Sequence, residues 1–150
     1  MVNAANSGLR PGSGVCGAIH RGAGVQLKIA CQQLNGCETG SAKLTEAFAL
    51  PAKWVAHAVG PIWYGGEERE AELLSSCYAT CLELALEKKA SSISFPAIST
   101  GIYGFPLEEA TEIVFKTLLR FQSSELTVSL VCFDGKTYSL YNKIYQEIWL

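Results

Sequence analysis

The segment SISFPAISTGIYGFPLEEA, residues 92–110, decides the fold class of this chain. Its first four residues, Ser92–Phe95, predict a short strand, and a glycine-rich loop follows over residues 96–105. Residues from Leu107 onward are predicted to be helical. A strand, a loop and a helix in this order are the repeating unit of folds in which helices cover a sheet.

The rest of the chain repeats this alternation. Residues 1–14 are interpreted as the end of a strand that runs into a loop, and Val15 begins a short helix that is followed by a longer one. Further strands are predicted over residues 42–49, 53–59 and 126–133, and further helices over residues 67–90, 107–121 and 135–149. The order predicts one α/β domain, residues 1–150, with a sheet flanked by helices.

Composition limits the classes of partner. The chain has 150 residues, of which 49 % are hydrophobic and 17 % charged, and its formal net charge is −2. Such a chain is an ordered globular protein, and broad electrostatic binding to nucleic acid or to an anionic membrane is not expected. The sequence has no signal-peptide pattern and no apolar run of about 20 residues. We therefore expect a cytoplasmic protein, with the nucleus as the alternative compartment.

The six cysteines have no CxxC spacing, so we expect reduced, buried thiols and no disulfide framework. Cys77 and Cys81 lie one helical turn apart, but no His or carboxylate joins them at ligand spacing. We predict no metal site and no cofactor. His57 is interpreted as a structural histidine in an apolar strand, and the acidic residues Glu67, Glu68, Glu70 and Glu72 as a charge cluster at a helix N-terminus.

Two glycine loops each precede a predicted helix. The first is Gly12-Ser13-Gly14-Val15, and the second is Ser99-Thr100-Gly101-Ile102-Tyr103-Gly104-Phe105. Glycine allows successive backbone N–H groups to turn toward one point, and a helix N-terminus adds partial positive charge, so each loop can hold a phosphate without Lys or Arg. Each loop alone could equally be an ordinary chain turn. Together they suit two linked phosphates.

Two amides precede the first loop in Asn3-Ala-Ala-Asn6. An amide offers both a donor and an acceptor, so Asn3 and Asn6 can hydrogen-bond a hydroxylated ligand such as a ribose. The alternative is that these Asn residues cap local turns, and the spacing alone does not decide between the two.

Three stretches in the same order resemble the macrodomain family, most closely its MacroD-type branch: VNAANSGLRPGSGVCGAIHRGAG (2–24), GCETGSAKLTEAFALPAKWVAHAVGPIW (36–63) and SISFPAISTGIYGFPLEEA (92–110). The resemblance implies a three-layer α/β/α fold with a mixed central sheet and an ADP-ribose cleft at one edge. It implies that Gly12 to Val15 and Ser99 to Tyr103 hold the diphosphate, and that Asn6 contacts the distal ribose and takes part in catalysis. It also places the Tyr103 or Phe105 ring near that ribose and Phe133 beside the adenine.

Cys16 departs from the family pattern, because MacroD-type hydrolases commonly have Asp at this position. Three interpretations remain open. The domain has lost hydrolysis and only binds, or it hydrolyses with a water held by the ligand phosphate and Asn6, or Cys16 is itself a nucleophile with His20 beside it.

The chain also begins close to the first motif. Family members usually carry a strand, a helix and most of a central strand before it, with an Asp that recognises adenine. We therefore expect N-terminal strands that are missing or shortened, and a sheet completed by rearrangement or by another chain.

The leading hypothesis is an enzyme that hydrolyses O-acetyl-ADP-ribose or mono-ADP-ribose esterified to acidic protein residues, so that the expected partner is ADP-ribose or an ADP-ribosylated protein. The alternatives are a non-catalytic module that binds ADP-ribose, favoured by Cys16, and a structural fragment without a ligand.

Overall fold

The computed structural model describes residues 1–149. Its strands are β1 (Val2–Ala4), β2 (Ala42–Glu46), β3 (Trp54–Ala58), β4 (Ser92–Phe95) and β5 (Thr127–Leu130). Its helices are α1 (Gly14–Ala23), α2 (Val25–Gln33), α3 (Glu70–Glu87), α4 (Leu107–Leu119) and α5 (Gly135–Ile148). Within residues 1–149 no helix is long and apolar enough to cross a membrane.

The strands form a mixed arrangement in two hydrogen-bonded groups. In the first, β3 lies between β1, to which it is parallel, and β2, to which it is antiparallel. In the second, β4 and β5 are parallel. The strand β1 has only three residues and contacts β4 without a ladder of hydrogen bonds between them in the described part of the chain. The two groups therefore meet along a seam, defined here as the contact between β1 and β4.

Apolar side chains cross this seam. The larger hydrophobic cluster contains Val2 of β1, Ala56 of β3 and Phe95 of β4, together with Tyr78 of α3. A smaller cluster under α1 and α2 includes the fully buried Leu27 and residues of β3. Each large side chain that is buried in this way contributes about 2 kcal/mol to folding. Apolar packing therefore holds together the two groups of strands that no backbone ladder joins among the described residues.

The boundaries differ from the predicted ones at specific positions. The helix predicted over residues 67–90 begins only at Glu70, because Arg69 has a left-handed backbone with φ of 61°. It ends at Glu87, shortly before Lys89, which has φ of 57°. The prediction that a short helix precedes a longer one was wrong, since α1 has 10 residues and α2 has 9.

The cysteines are free thiols, as predicted, and five of the six are buried. Burial in apolar surroundings raises the pKa of the Cys31 thiol to about 11 and that of Cys77 to about 12. Within the described residues no three His, Cys, Asp or Glu side chains are grouped closely enough to hold a metal ion.

Candidate functional site: two glycine loops and a buried amide

Both glycine loops lie at the carboxyl end of β3. The first loop follows β1, whose continuation is bonded to β3 by Ala5 N–H donating to the Ala58 carbonyl at 2.8 Å. The second loop follows β4, and its Ser99 packs directly against Gly60, two residues beyond the end of β3. The fold therefore brings the two sequence motifs to one edge of the sheet, where ligands of open α/β folds are bound.

The first loop is exposed and continues into a ten-residue helix. Gly12, Ser13, Gly14 and Val15 are all solvent-accessible, and Ser13 is the N-cap of α1 without a side-chain cap bond. The N–H groups of a first helical turn have no partner within the helix, so they are available to an anion. An anionic group such as a phosphate can therefore be held at this helix start.

Close packing fixes the first loop against its helix. Gly17 N–H donates to the Ser13 carbonyl at 3.2 Å. A β-carbon on Gly17 would stand 2.5 Å from the Gly12 carbonyl oxygen, nearer than any side chain allows. Only glycine at position 17 lets the loop approach the helix this closely.

The second loop is held by its own backbone. Phe105 N–H donates to the Ser99 carbonyl at 2.9 Å, Gly104 N–H donates to the Gly101 carbonyl at 3.0 Å, and Thr100 Oγ1 donates to the Ala97 carbonyl at 2.8 Å. These bonds close the base of the loop and leave its tip, Gly101 and Ile102, exposed. The loop is thus shaped before any ligand arrives.

Phe105 does not line the cleft, which corrects the prediction that made it a ligand contact. Its ring is 2 % exposed and packs on Trp63 with ring centroids 4.8 Å apart. Tyr103 is partly exposed, and its carbonyl accepts from Trp63 N–H at 2.8 Å. Of the two aromatic residues that were predicted near the ribose, only Tyr103 has a ring that a ligand can reach.

The two residues predicted to be catalytic, Asn6 and Cys16, meet at one carbonyl group. Asn6 Nδ2 donates to the Arg10 carbonyl at 2.8 Å, and the Cys16 thiol donates to the same oxygen at 3.6 Å. Arg10 N–H donates in return to Asn6 Oδ1 at 3.0 Å. Asn6 therefore caps the local turn, which was the alternative left open by the sequence, while it remains partly exposed at the loop.

Among the described residues, Cys16 donates to the Arg10 carbonyl and accepts from Asn3 Nδ2, so the geometry shows no Cys16–His20 pair. His20 is 8 % exposed, and burial lowers its pKa. Its Nδ1 atom has no hydrogen-bond partner among the described residues.

Asn3 lies beneath the site and not in it. Its side chain is fully buried, and Nδ2 contacts the Cys16 sulfur at 3.7 Å and His57 Nδ1 at 3.2 Å. The prediction that Asn3 contacts the ligand directly is therefore wrong, and Asn3 supports the site from below. Its sequence signal, an amide next to small residues, does not distinguish the two roles.

Phe133 lies three residues beyond β5, and its side chain is 96 % exposed. Next to it, Asp134 caps α5 by accepting from Thr137 N–H at 2.8 Å, which fixes the backbone where the strand turns into the helix. An aromatic ring that is open to solvent on a fixed turn can stack on a planar base.

Glu70 is a residue whose role the sequence interpretation missed. The sequence predicts a place in a charge cluster at the helix N-terminus. Glu70 is instead 1 % exposed, and its carboxylate accepts from the backbone N–H groups of Tyr64, Gly66 and Glu68 at 2.9, 2.9 and 2.6 Å. Burial alone would raise the pKa of this carboxyl, but these three backbone donors, together with the N–H group of Glu70 itself, outweigh burial and hold the pKa below its ordinary value. Glu70 thus shapes the segment that follows Trp63, whose N–H group holds the second loop.

Comparison with known proteins identifies the family of this chain. The Macro domain family model matches residues 2–114. The chain belongs to the macro domain family. This macrodomain is 48 % identical over 151 residues to a protein of Enterobacter cloacae named O-acetyl-ADP-ribose deacetylase, a match that covers 96 % of this chain and 84 % of the relative.

Solved structures give the same result. The macrodomain of Oceanobacillus iheyensis with ADP has a TM-score of 0.94 and 41 % identity to this macrodomain, covering 99 % of this chain and 83 % of that one. The macrodomain of Trypanosoma brucei in complex with ADP-ribose has a TM-score of 0.87 and 40 % identity, covering 95 % and 61 %. These likenesses confirm the resemblance seen in the sequence and the three-layer α/β/α fold with a mixed sheet.

Proposed function

We propose that this macrodomain binds ADP-ribose and hydrolyses ADP-ribosyl esters, either O-acetyl-ADP-ribose or mono-ADP-ribose on acidic protein residues. The observation that carries the proposal is the meeting of two preformed glycine loops at the carboxyl end of β3, with Asn6 beside the first loop. Relatives support it, since one is named a deacetylase of O-acetyl-ADP-ribose and similar macrodomains hold ADP or ADP-ribose.

In this proposal the diphosphate lies between the loops. The exposed amides of Gly12 to Val15 and the tip of the second loop donate to phosphate oxygens, and the N-terminus of α1 adds partial positive charge. The loops are already held by internal hydrogen bonds, so little backbone entropy is lost on binding. The exposed ring of Phe133 stacks on the adenine.

In the proposed hydrolysis the bound ester lies near Asn6. A water molecule adds to the ester carbonyl carbon, the ribose oxygen leaves as a hydroxyl group, and the acyl group leaves as a carboxylic acid. Asn6 orients the ribose hydroxyls with the second N–H of its amide and the second lone pair of its oxygen, since the first of each is used on the Arg10 backbone. A phosphate oxygen of the ligand takes the place of the missing carboxylate in orienting the water.

The alternative function is a module that binds ADP-ribose without turning it over. The observation in its favour is Cys16, which occupies the position of the usual carboxylate, is only 6 % exposed and directs its thiol to the Arg10 carbonyl. A covered thiol in this arrangement is a poor general base.

The first experiment is a titration with ADP-ribose, monitored by thermal shift and calorimetry, with AMP and ribose 5-phosphate as controls. A ligand at about 100 times its Kd adds roughly 2.7 kcal/mol of stability, which is a shift of several degrees. A saturable shift with ADP-ribose supports binding. A folded sample that shows no shift at millimolar ADP-ribose contradicts the proposed function.

The second experiment separates the enzyme from the binding module by turnover of O-acetyl-ADP-ribose. Cys16→Asp restores a carboxylate, and Cys16→Asn is the matched control of the same shape without charge. A weakened hydrolase is supported if the unmodified chain shows turnover, and if the rate rises at least tenfold in Cys16→Asp but not in Cys16→Asn. Tight binding without turnover in all three proteins supports the binding module.

A further inference from the structure

We propose that His57 is a positioning residue for the first loop: its ring, held in one tautomer by Thr45, fixes the orientation of the Asn3 amide beneath Cys16. The functional consequence rests on the proposed binding of ADP-ribose, whereas the tautomer and the amide orientation do not depend on it. A line of hydrogen bonds runs from β2 through β3 and β1 to α1.

The line begins at Thr45 of β2. Its hydroxyl donates to the Glu46 carbonyl at 2.9 Å, and its oxygen lies 2.9 Å from His57 Nε2. A hydroxyl has a single proton. We assign that proton to the Glu46 carbonyl, which can only accept, so that the Thr45 oxygen accepts from the ring and His57 carries its proton on Nε2.

The tautomer then determines the next contact. A neutral ring with a proton on Nε2 has a lone pair on Nδ1, and Asn3 Nδ2 lies 3.2 Å from that atom. His57 therefore accepts from the NH₂ group of Asn3. The opposite amide orientation would bring the Asn3 oxygen against the Nδ1 lone pair, and two acceptors would face each other in a fully buried site.

The surroundings of the ring keep it neutral. His57 is completely buried, and burial, followed by the nearby charge of His20, lowers its pKa to about 4. The titratable groups that face it are His20 of α1, at a ring-centroid distance of 6.5 Å, and Cys31 of α2, whose sulfur is 3.7 Å from Nε2. Neither of these groups is a carboxylate that would stabilise a protonated ring.

Asn3 transmits this orientation to the site. Its second amide proton points to the Cys16 sulfur at 3.7 Å, and the Cys16 thiol donates to the Arg10 carbonyl, which Asn6 also contacts. The Asn3 amide is thereby held with its NH₂ group toward Cys16. Its oxygen has no hydrogen-bond partner among residues 1–149, so the orientation cannot be maintained from that side. His57 is the group that fixes it.

The direct test of the tautomer is ¹⁵N NMR of the imidazole nitrogens in the whole chain. We expect a neutral His57 ring with a protonated Nε2 and an unprotonated Nδ1 between pH 5.5 and pH 8. A protonated Nδ1, or a ring that becomes charged within this range, overturns the proposal whether or not the protein binds ADP-ribose.

The functional test uses Thr45→Val, which keeps the shape of the side chain and removes the acceptor, and Thr45→Ser, which keeps the hydroxyl. We expect Thr45→Val to weaken ADP-ribose binding about fivefold and to broaden the side-chain amide signal of Asn3, while Thr45→Ser behaves as the unmodified chain. Equal binding and an unchanged Asn3 signal in Thr45→Val contradict the proposal.

A control separates this effect from a general loss of stability. Thr111 of α4 is a fully buried threonine, and its hydroxyl donates to the Leu107 carbonyl at 2.7 Å, away from the His57 line. Thr111→Val should change the melting temperature without changing the ADP-ribose Kd or the Asn3 signal. If Thr111→Val weakens binding as much as Thr45→Val does, the effect is one of stability and the positioning role is wrong. If the unmodified chain binds no ADP-ribose, the proposed function fails, and the NMR signals of His57 and Asn3 still decide the inference.

Discussion

The carbonyl oxygen of Gly12 lies 2.5 Å from the point that a β-carbon on Gly17 would occupy. Real β-carbons do not approach an oxygen this closely, so the first loop and the second turn of α1 can have their observed spacing only with glycine at this position. The shape of the proposed diphosphate site therefore depends on the absence of a side chain at Gly17.

Gly17→Ala is therefore expected to displace the first loop. In an unconstrained helix the change from Gly to Ala stabilises by about 1 kcal/mol, but here the clash involves backbone and dominates, with a cost of about 1–3 kcal/mol. We expect at least tenfold weaker ADP-ribose binding, measured by calorimetry. The control is Gly135→Ala at the start of α5, where an added β-carbon has no heavy atom within 4 Å. Unchanged binding in Gly17→Ala would show that the loop does not hold the ligand.

Glu70→Gln should loosen the segment between Trp63 and α3. Glutamine has one oxygen where the carboxylate has two, and its NH₂ group faces a backbone N–H donor, so one of the three contacts to Tyr64, Gly66 and Glu68 is lost. We expect a lower melting temperature. Glu72→Gln is the control, because Glu72 pairs with Arg69 at the surface of the described structure. A melting temperature of Glu70→Gln equal to that of Glu72→Gln would contradict the anchoring role.

Stability should fall with acid through His57. Burial lowers its folded-state pKa to about 4 from the ordinary value of 6.5, so the unfolded chain takes up a proton more readily than the folded one. The contribution of the neutral ring is complete above about pH 6.5 and is lost as the pH falls toward 4, by about 3 kcal/mol in total. Urea unfolding from pH 7 to pH 5 measures the slope. His57→Gln should flatten it, and an identical slope in the variant would show that other groups cause the acid sensitivity.

Phe133→Ala tests the predicted adenine contact. An aromatic ring stacked on a base contributes about 1–3 kcal/mol, so the variant should bind ADP-ribose at least fivefold more weakly and ribose 5-phosphate unchanged. Tyr138→Ala, another exposed aromatic residue of the same region, is the control. Loss of affinity for both ligands in Phe133→Ala would indicate a distorted turn instead of lost stacking.

Local patterns in the sequence were enough to predict the alternation of helices and strands and the two glycine loops. They failed where the decisive partner is far away in the chain. Asn3 and His57 are 54 residues apart, and no spacing rule connects them. Phe105 was misplaced because an aromatic residue in a glycine loop resembles a ligand contact until Trp63 is seen to cover it.

The prediction for Glu70 was wrong for a related reason. In the sequence it is one of four acidic residues near a helix start, where exposed carboxylates are ordinary. In the structure a left-handed residue, Arg69, directly precedes it, and the backbone N–H groups of the preceding segment meet at its carboxylate. The turn is visible only in three dimensions.

The seam between β1 and β4 predicts where this macrodomain responds first to cold. Amides within β3 are locked by ladders on both sides, whereas β1 and β4 are joined to each other by apolar packing alone across the described residues. Attraction between apolar groups weakens on cooling, while backbone ladders do not share that trend. Chilling should therefore open the molecule along this line first, and hydrogen exchange near 0 °C would record it as faster exchange at the facing edges of β1 and β4 than within β3.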